Sequence, residues 1–243
     1  MTVSDFSDRE ELERYSKQVI NHEHVVYPAI LKEMGNVRGK RVLDIGCANG
    51  DFAKYLQRFD VKYTGIDKSK AAIEHCRQRF GVDHYISYFV QDATKITDNY
   101  VDHFDYAVAN MLMLNVDRKE TLEKIFSETA GVLRRGGRFI FTDLHPFSKM
   151  MNTTTETVNH PEEFSYFRGG SEFSTSMLMK DGSRMKFDDV HWTLNDYIGA
   201  VKGAGLVLDN IIEPQPVKSP QLPAIYENYP VPEYILFSCI KPN

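Results

Sequence analysis

Cysteine is scarce in this chain of 243 residues: Cys47, Cys76 and Cys239 are odd in number, widely spaced and form no C-x-x-C pair. That excludes a disulfide framework and a cysteine-based zinc knuckle, and it fits a reducing compartment, the cytoplasm. No dense block of Lys or Arg occurs and the net charge is −5, so the electrostatic footprint of a protein that grips nucleic acid or an anionic membrane is missing. Nor does any apolar run approach the length of a membrane span, and the start, MTVSDFSDREELERYSKQ, is acidic and lacks the apolar stretch of an export signal. The expected partner is a small molecule, not nucleic acid or membrane. Nothing in the sequence bears on oligomeric state.

What is present is an alternation of strand-like and helix-like segments. About two-fifths of the residues are apolar and a quarter charged, the balance of a folded globular chain. Val42-Leu43-Asp44-Ile45 reads as a short buried strand, followed by Phe52, Tyr55, Leu56 and Phe59 at helical spacing. "KYTGID" (62–67) is a second strand, after which Ser69 can cap a helix that buries Ala72, Ile73, Cys76 and Phe80 and stops at Gly81. "HYISYFVQDA" (84–93), "FDYAVAN" (104–110) and "RFIFTD" (138–143) supply three more strands. Asp117 with Glu120 has the spacing of a capping box for a helix running to Arg134–Gly136. Strands alternating with helices predict a mainly parallel α/β sheet with right-handed crossovers.

The pattern then changes. "EFSTSMLMK" and "SRMKFDDVHW", joined by Asp181-Gly182, predict an antiparallel flap within residues 144–190. Thr193 with Asp196 caps a further helix, "LVLDNIIE" follows as a strand, and seven of the ten prolines lie after Glu213, which keeps that tail from being helical. "EYILFSCI" (233–240) is a last strand, expected antiparallel in the sheet.

The turn "GCANG" (46–50) is where a ligand is expected. In an open α/β sheet, ligands sit beyond the carboxyl ends of the strands, where glycine lets the backbone approach and a helix N-terminus faces them. Asp67 ends the second strand, 21 residues after Gly46, where a carboxylate can accept both hydroxyls of a ribose; Asp92 ends the third, within reach of an adenine amino group. A dinucleotide site wants G-x-G-x-x-G. Here Gly46 and Gly50 give G-x-x-x-G preceded by Asp44, an acid unwelcome beside a pyrophosphate. Such an acid suits a cofactor with an ammonium and a sulfonium, S-adenosylmethionine.

"VLDIGCANG", "GID", "QDA", "FDYAVANMLML" and "VLRRGGRFIFTD" together resemble the successive motifs of the class I S-adenosylmethionine-dependent methyltransferases, in the broad group that methylates small metabolites. The resemblance runs over most of the chain; Ala48 departs from it, standing where many members carry glycine. It implies a Rossmann-like seven-stranded sheet in the order 3-2-1-4-5-7-6, and a single methyltransferase domain over 1–243 with a helical lid at 1–36 and the inserted flap at 144–190. It further implies S-adenosylmethionine as cofactor and S-adenosylhomocysteine as product. Gly46, Cys47, Ala48 and Gly50, with Asp44, fall on the methionyl side, Asp67 and Lys68 at the ribose, and Asp92 with Ala93 at the adenine. Asn110, Met111 and Leu114 would close the pocket, and Tyr15, near Leu12 and Val19, would pack on the cofactor or simply in the core. "DLHPF" (143–147) and "DVHWTLNDYIGAVKGAGL" (189–206) resemble a bacterial subgroup to which no single activity attaches.

The implied reaction is in-line displacement of the methyl group by an O, N or C atom, which needs alignment and exclusion of water. A hydroxyl or acidic carbon gains from a base, and histidine titrates near neutrality. His145 and His191 are the candidates; each can instead orient backbone or cap a helix. Cys47 lies near a helix N-terminus, which lowers a thiol pKa, yet with no His or Asp partner placed by sequence its expected role is packing. His22-Glu23-His24 diverges too far on a helix to bind a metal without a third ligand. Phe164, Tyr166, Phe167, Phe173, Tyr226 and Tyr229 can line an apolar substrate pocket or form the core of the lid. A nucleic-acid or protein methyltransferase, and a binding protein that only senses the cofactor, are the competing readings.

Overall fold

The structure, a computed structural model, describes residues 22–153, 156–179, 182–218, 220, 222, 224 and 231–243. Tyr15 with Leu12 and Val19, Asp181, Tyr226 and Tyr229 lie outside the described residues. Along the chain α1 (Val26–Met34) precedes β1 (Arg41–Ile45), α2 (Asp51–Leu56), β2 (Lys62–Asp67), α3 (Lys70–Phe80), β3 (Ile86–Val90), β4 (Phe104–Asn110), α4 (Lys119–Val132) and β5 (Leu133–Leu144). A short α5 (Pro146–Met150) leads to β6 (Glu156–Asn159), β7 (Ser171–Leu178) and β8 (Arg184–His191); α6 (Leu194–Gly203), β9 (Val207–Ile212) and β10 (Tyr234–Ile240) follow.

Seven strands form one sheet in the order β3-β2-β1-β4-β5-β10-β9. Strands β1 to β5 pair in parallel, and β10 runs antiparallel to both β5 and β9. In sequence order of the strands in this sheet that is 3-2-1-4-5-7-6, the Rossmann-like order the motifs imply. Alternation within each strand serves two cores. Val42, Val108, Ile140 and Leu236 pack on the face covered by α1, α2 and α3, while Leu43, Ala107, Phe139 and Phe237 pack on the face covered by α4 and α6. On the second face the fully buried Phe141 stacks on Phe237 at 4.7 Å between centroids and meets Phe126 at 5.0 Å and Tyr197 at 5.3 Å.

Strands β6, β7 and β8 form a separate antiparallel sheet. Its hairpin matches the expected flap, and Gly182 in the connection has φ +80°, which suits glycine at that point. Strand β6 was not expected; it pairs with β7 over Glu156–Asn159.

Three local expectations need correction. The helix after the glycine turn stops at Leu56, so Phe59 is 38 % exposed instead of lying on its buried face; the Phe59 N–H closes a turn on the Leu56 carbonyl, which brings Val61 into the core. Helix α4 begins at Lys119 with Arg118 as N-cap, so Glu120 falls one residue short of the position a capping box requires, and Asp117 pairs with Arg118 at 3.9 Å. The same helix ends at Val132, because Leu133 is already paired with Phe104 of β4. Ser69 and Thr193 do cap their helices, the latter in a complete capping box with Asp196.

Replacing Phe141 by alanine leaves a ring-sized void among four aromatic partners, Phe126, Phe139, Tyr197 and Phe237. The expected loss of stability is about 3–5 kcal/mol, read from urea denaturation; a loss under about 1 kcal/mol would mean that this cluster is not the close-packed core described.

Candidate cofactor and acceptor site

The turn after β1 is built from three left-handed residues: Gly46 at φ +73°, Ala48 at +45° and Gly50 at +76°. A side chain on Gly46 would place Cβ 2.8 Å from the flexible tip of Leu112, and one on Gly50 would meet the Phe80 ring at 2.8 Å and Cys76 Sγ at 3.0 Å; φ calls for glycine at both positions, and at Gly50 space does as well. The Gly46 and Cys47 N–H groups both donate to the Ile66 carbonyl, at 2.8 and 3.0 Å. Asp67 accepts from the Ala48 N–H at 3.0 Å through one oxygen and from the Ser69 N–H at 2.8 Å through the other. One carboxylate thus ties the turn after β1 to the start of α3. Burial pushes its pKa up, against the two backbone donors that favour its charged form.

Beyond the strand ends lies a cavity of about 170 Å³, lined in part by Gly46, Ala48, Asp67, Asp92 and Asn110. Lys68, Ala93 and Met111 complete the expected residues there. Asp92 holds the loop after β3 by accepting from both the N–H and the hydroxyl of Thr94 at 2.8 Å. The mixture of glycine backbone, carboxylates at the ends of β2 and β3, and the apolar walls of Ile66, Leu112 and Ile125 suits a nucleoside carrying a small charged chain. Gln91, Asn115 and Thr121 also line the cavity and were missed; Gln91, a polar residue just past the end of β3, carried an available signal, whereas Thr121 lies on α4.

Several expected residues lie elsewhere. Asp44 is buried against Tyr63, whose hydroxyl donates to it at 2.5 Å, and burial pushes its pKa up to about 7. It supports the turn from beneath instead of lining the cavity. Cys47 is buried beside Cys76 with its thiol pKa raised well above the usual range by that contact and by burial, so it packs and does not act as a thiolate. Gly50 faces Phe80 and Cys76. Leu114 lines a second, smaller chamber of about 50 Å³ that shares Met111 and Asn115 with the first.

Met111, on that shared wall, is left-handed at φ +55°, an outlier for a side chain of its size that surrounding structure must hold. Its N–H donates to the Thr142 hydroxyl at 3.2 Å, and Thr142 in turn donates to the Asn110 side-chain oxygen Oδ1 at 2.7 Å. That leaves the Asn110 side-chain nitrogen Nδ2 to donate to His22 Nδ1 at 3.2 Å. Burial lowers the His22 pKa to about 4, so the ring is neutral and can accept there. His22 therefore buttresses the wall between the cavities; among the described residues no group of three or more His, Cys, Asp or Glu is placed to hold a metal.

The rest of the second chamber comes from the flap and β10: Glu156, Thr175, Met177, Phe187, Asp189 and Tyr234. Glu156 and Asp189 were missed. They stand on the inward face of the flap, in phase with apolar neighbours such as Met185 and Phe187 on β8. An acid at an inward position of an alternating strand was the signal. His145 and His191, expected as bases, line neither cavity. His145 Nδ1 caps α5 by accepting from the Phe147 N–H at 3.1 Å, with Nε2 3.1 Å from Glu213. His191 Nε2 reaches the Tyr166 carbonyl at 2.7 Å and holds the loop before β7. Of the flap aromatics, Phe164 and Phe173 gather around His160, Phe167 is 92 % exposed, and Phe187 is the ring that enters the chamber.

The model of a methyltransferase domain matches residues 42–137, which run from β1 to the start of β5 and carry the glycine turn with Asp67, Asp92 and Asn110. That match, on the sheet order and cavity described, supports a class I S-adenosylmethionine-dependent methyltransferase. It is 32 % identical over 145 residues to a fatty-acid O-methyltransferase of Mycolicibacterium smegmatis, covering 58 % of this chain and 47 % of the relative. It is 26 % identical over 169 residues to phthiotriol/phenolphthiotriol dimycocerosates methyltransferase 1 of Mycobacterium ulcerans, covering 66 % and 54 %. The chain spans about half the length of these curated relatives. The fold is also that of an S-adenosylmethionine-dependent methyltransferase from Mesorhizobium loti, with a TM-score of 0.61 at 20 % identity over 88 % of this chain and 96 % of the other. No described helix is long and apolar enough to cross a membrane.

Two predictions follow from this geometry. Ala48→Gly relieves a left-handed alanine, which outweighs the extra freedom glycine gains in the unfolded chain; stability rises by about 0.5–1 kcal/mol, and a fall in Tm would refute the strain. Asp44 and Asp189 each hold a proton up to about pH 7 when folded, against an ordinary value of 3.8, because both are buried. The folded chain therefore binds more protons than the unfolded one between those values. Its stability falls as pH rises from 4 to 7, by up to about 4 kcal/mol for each group, and Asp44→Asn flattens the slope in denaturation curves taken across that window.

Proposed function

We propose that this protein transfers the methyl group of S-adenosylmethionine to an O, N or C atom of a small molecule. The observation that carries the reading is the adjacency of two cavities across Met111 and Asn115, one at the ends of the parallel strands and one under the flap. The residues present fit the cofactor: Asp67 and Asp92 offer carboxylates for ribose and adenine, and Gly46, which leaves room for Leu112 where a Cβ would stand, lines the same cavity on the side proposed for the methionyl chain. When bound, the cofactor supplies a methyl group on a sulfonium that a nucleophile can displace in line.

The protein's own share is alignment and exclusion of water. Asn110, fixed between Thr142 and His22, holds Met111 on the wall where the two ligands would meet. The flap closes the acceptor side with Met177 and Phe187. Loss of charge at sulfur as the methyl group moves favours such a dry chamber. The fatty-acid and phthiotriol relatives support a small, largely apolar acceptor over nucleic acid or protein.

Asp67→Ala removes the carboxylate at the ribose position and the tie between turn and α3. The expected result is a loss of S-adenosylhomocysteine affinity of about 100-fold or more by calorimetry, with transfer of labelled methyl into small-molecule extract abolished. Unchanged affinity would place the cofactor elsewhere, and label entering only RNA or protein would overturn the small-molecule reading.

A further inference from the structure

Glu156 is fully buried, and among the described residues neither of its carboxyl oxygens has a hydrogen-bond partner. Its side chain lines the chamber that adjoins the cofactor cavity. Asp189 lines the same chamber from β8 and accepts one hydrogen bond, from the Thr175 hydroxyl at 2.9 Å. Among the described residues the remaining wall combines apolar Met111, Leu114, Leu144, Met177 and Phe187 with His22, Asn115, Thr175 and Tyr234, and includes no Lys or Arg. The buried ammonium described in this region, Lys149, is paired with Asp143 at 2.5 Å; it also lies within electrostatic range of Asp189, whose pKa burial nonetheless keeps raised. Leaving a buried carboxyl without a partner is costly, so an orphan of this kind on a cavity wall marks a place where a ligand supplies the missing donors.

Charge and donor count narrow the ligand. Glu156 lies within electrostatic range of Asp189 and Glu233, and their mutual repulsion adds to burial in raising its pKa well above the usual range; Asp189 is pushed up to about 7. A carboxylate acceptor would add a further negative charge to this group. A hydroxyl offers a single donor for two acids. An ammonium offers up to three donors and cancels charge, which a buried pair of acids needs to ionise.

We propose that Glu156 and Asp189 form the recognition site for the amino group of the methyl acceptor, which is a small apolar primary or secondary amine. The inference rests on the methyltransferase reading and specifies its substrate class. In the reaction, the ammonium gives one proton to the Asp189 carboxylate, which frees the nitrogen lone pair. That pair forms the new N–C bond as the methyl C–S bond breaks, its electrons remain on sulfur, and the product leaves as a methylated ammonium. Charge and atoms balance without a further reactant.

The test compares butan-1-amine, butan-1-ol and butanoate, each titrated against the full chain saturated with S-adenosylhomocysteine, with thermal stability and calorimetry as readouts. The amine is expected to bind and raise Tm, and butanoate to do neither. Glu156→Gln and Asp189→Asn should each weaken the amine by about tenfold or more while leaving S-adenosylhomocysteine affinity within about twofold. Because each variant is isosteric, a fold defect in one leaves the other to decide, and retained S-adenosylhomocysteine binding reports that the fold is intact. Alcohol or butanoate binding as well as the amine, or no binding of the amine to the saturated protein, would overturn the proposal. So would both variants weakening S-adenosylmethionine much more than S-adenosylhomocysteine with amine affinity unchanged, since the acids would then serve the cofactor's sulfonium. Failure of the wild type to bind S-adenosylhomocysteine at all would instead strike the methyltransferase reading.

Discussion

The parallel register of β1 between β2 and β4 is the constraint on which the site depends. Leu43 pairs with Thr64 on one side and Ala107 on the other, so Ile45, Asp67 and Asn110 finish at the same edge of the sheet. Much of the first cavity follows from that edge: the glycine turn after β1, the carboxylate at the end of β2 and the left-handed Met111 after β4. A slip of one residue in β1 would turn Val42 and Leu43 to opposite cores and carry the turn away from Ile66, whose carbonyl clamps it. The large aromatic cluster around Phe141 makes such a slip expensive, because β5 is locked to β4 on one side and β10 on the other.

Buried polar groups beneath this edge are arranged in two ways with different consequences. The Met111, Thr142, Asn110 and His22 chain is neutral and each of its members has a partner, so it holds a strained backbone without a charge to desolvate. Asp143 is instead a charged hub: it accepts from Lys149, from the Tyr197 hydroxyl and from the Leu144 N–H. Such a pair adds little net stability over apolar packing, but it fixes geometry, since breaking it would strand a buried charge. Here it joins β5 to α5 and α6, and so sets where the chain leaves the sheet to build the flap.

Much of this was legible in the chain itself. Short apolar runs ending in Gly46, Asp67 and Asp92 locate the strand ends, and Ser69, Gly81 and Thr193 with Asp196 mark helix limits by chemistry that acts within three or four residues. Errors arose where a local signal competed with a distant contact. Asp117 and Glu120 had the spacing of a capping box, but the helix starts one residue later. His145 and His191 had the chemistry of a base, yet one caps a helix and the other anchors a loop. Asp44 has the charge a sulfonium would welcome, but Tyr63, 19 residues away, claims it.

By itself the sequence determined the alternation of strands and helices, the turn that only glycine or a strained alanine can make, and the acids that finish β2 and β3. These are short-range properties, set by side-chain period, backbone freedom and capping. The tertiary structure alone decided which side chains share the chamber beside the cofactor cavity, because Met111, Glu156, Asp189 and Tyr234 come from four separate strands or strand ends. An orphaned carboxyl has meaning only once its surroundings are closed. That closure is made by packing the flap against the sheet, which no periodicity within either segment records.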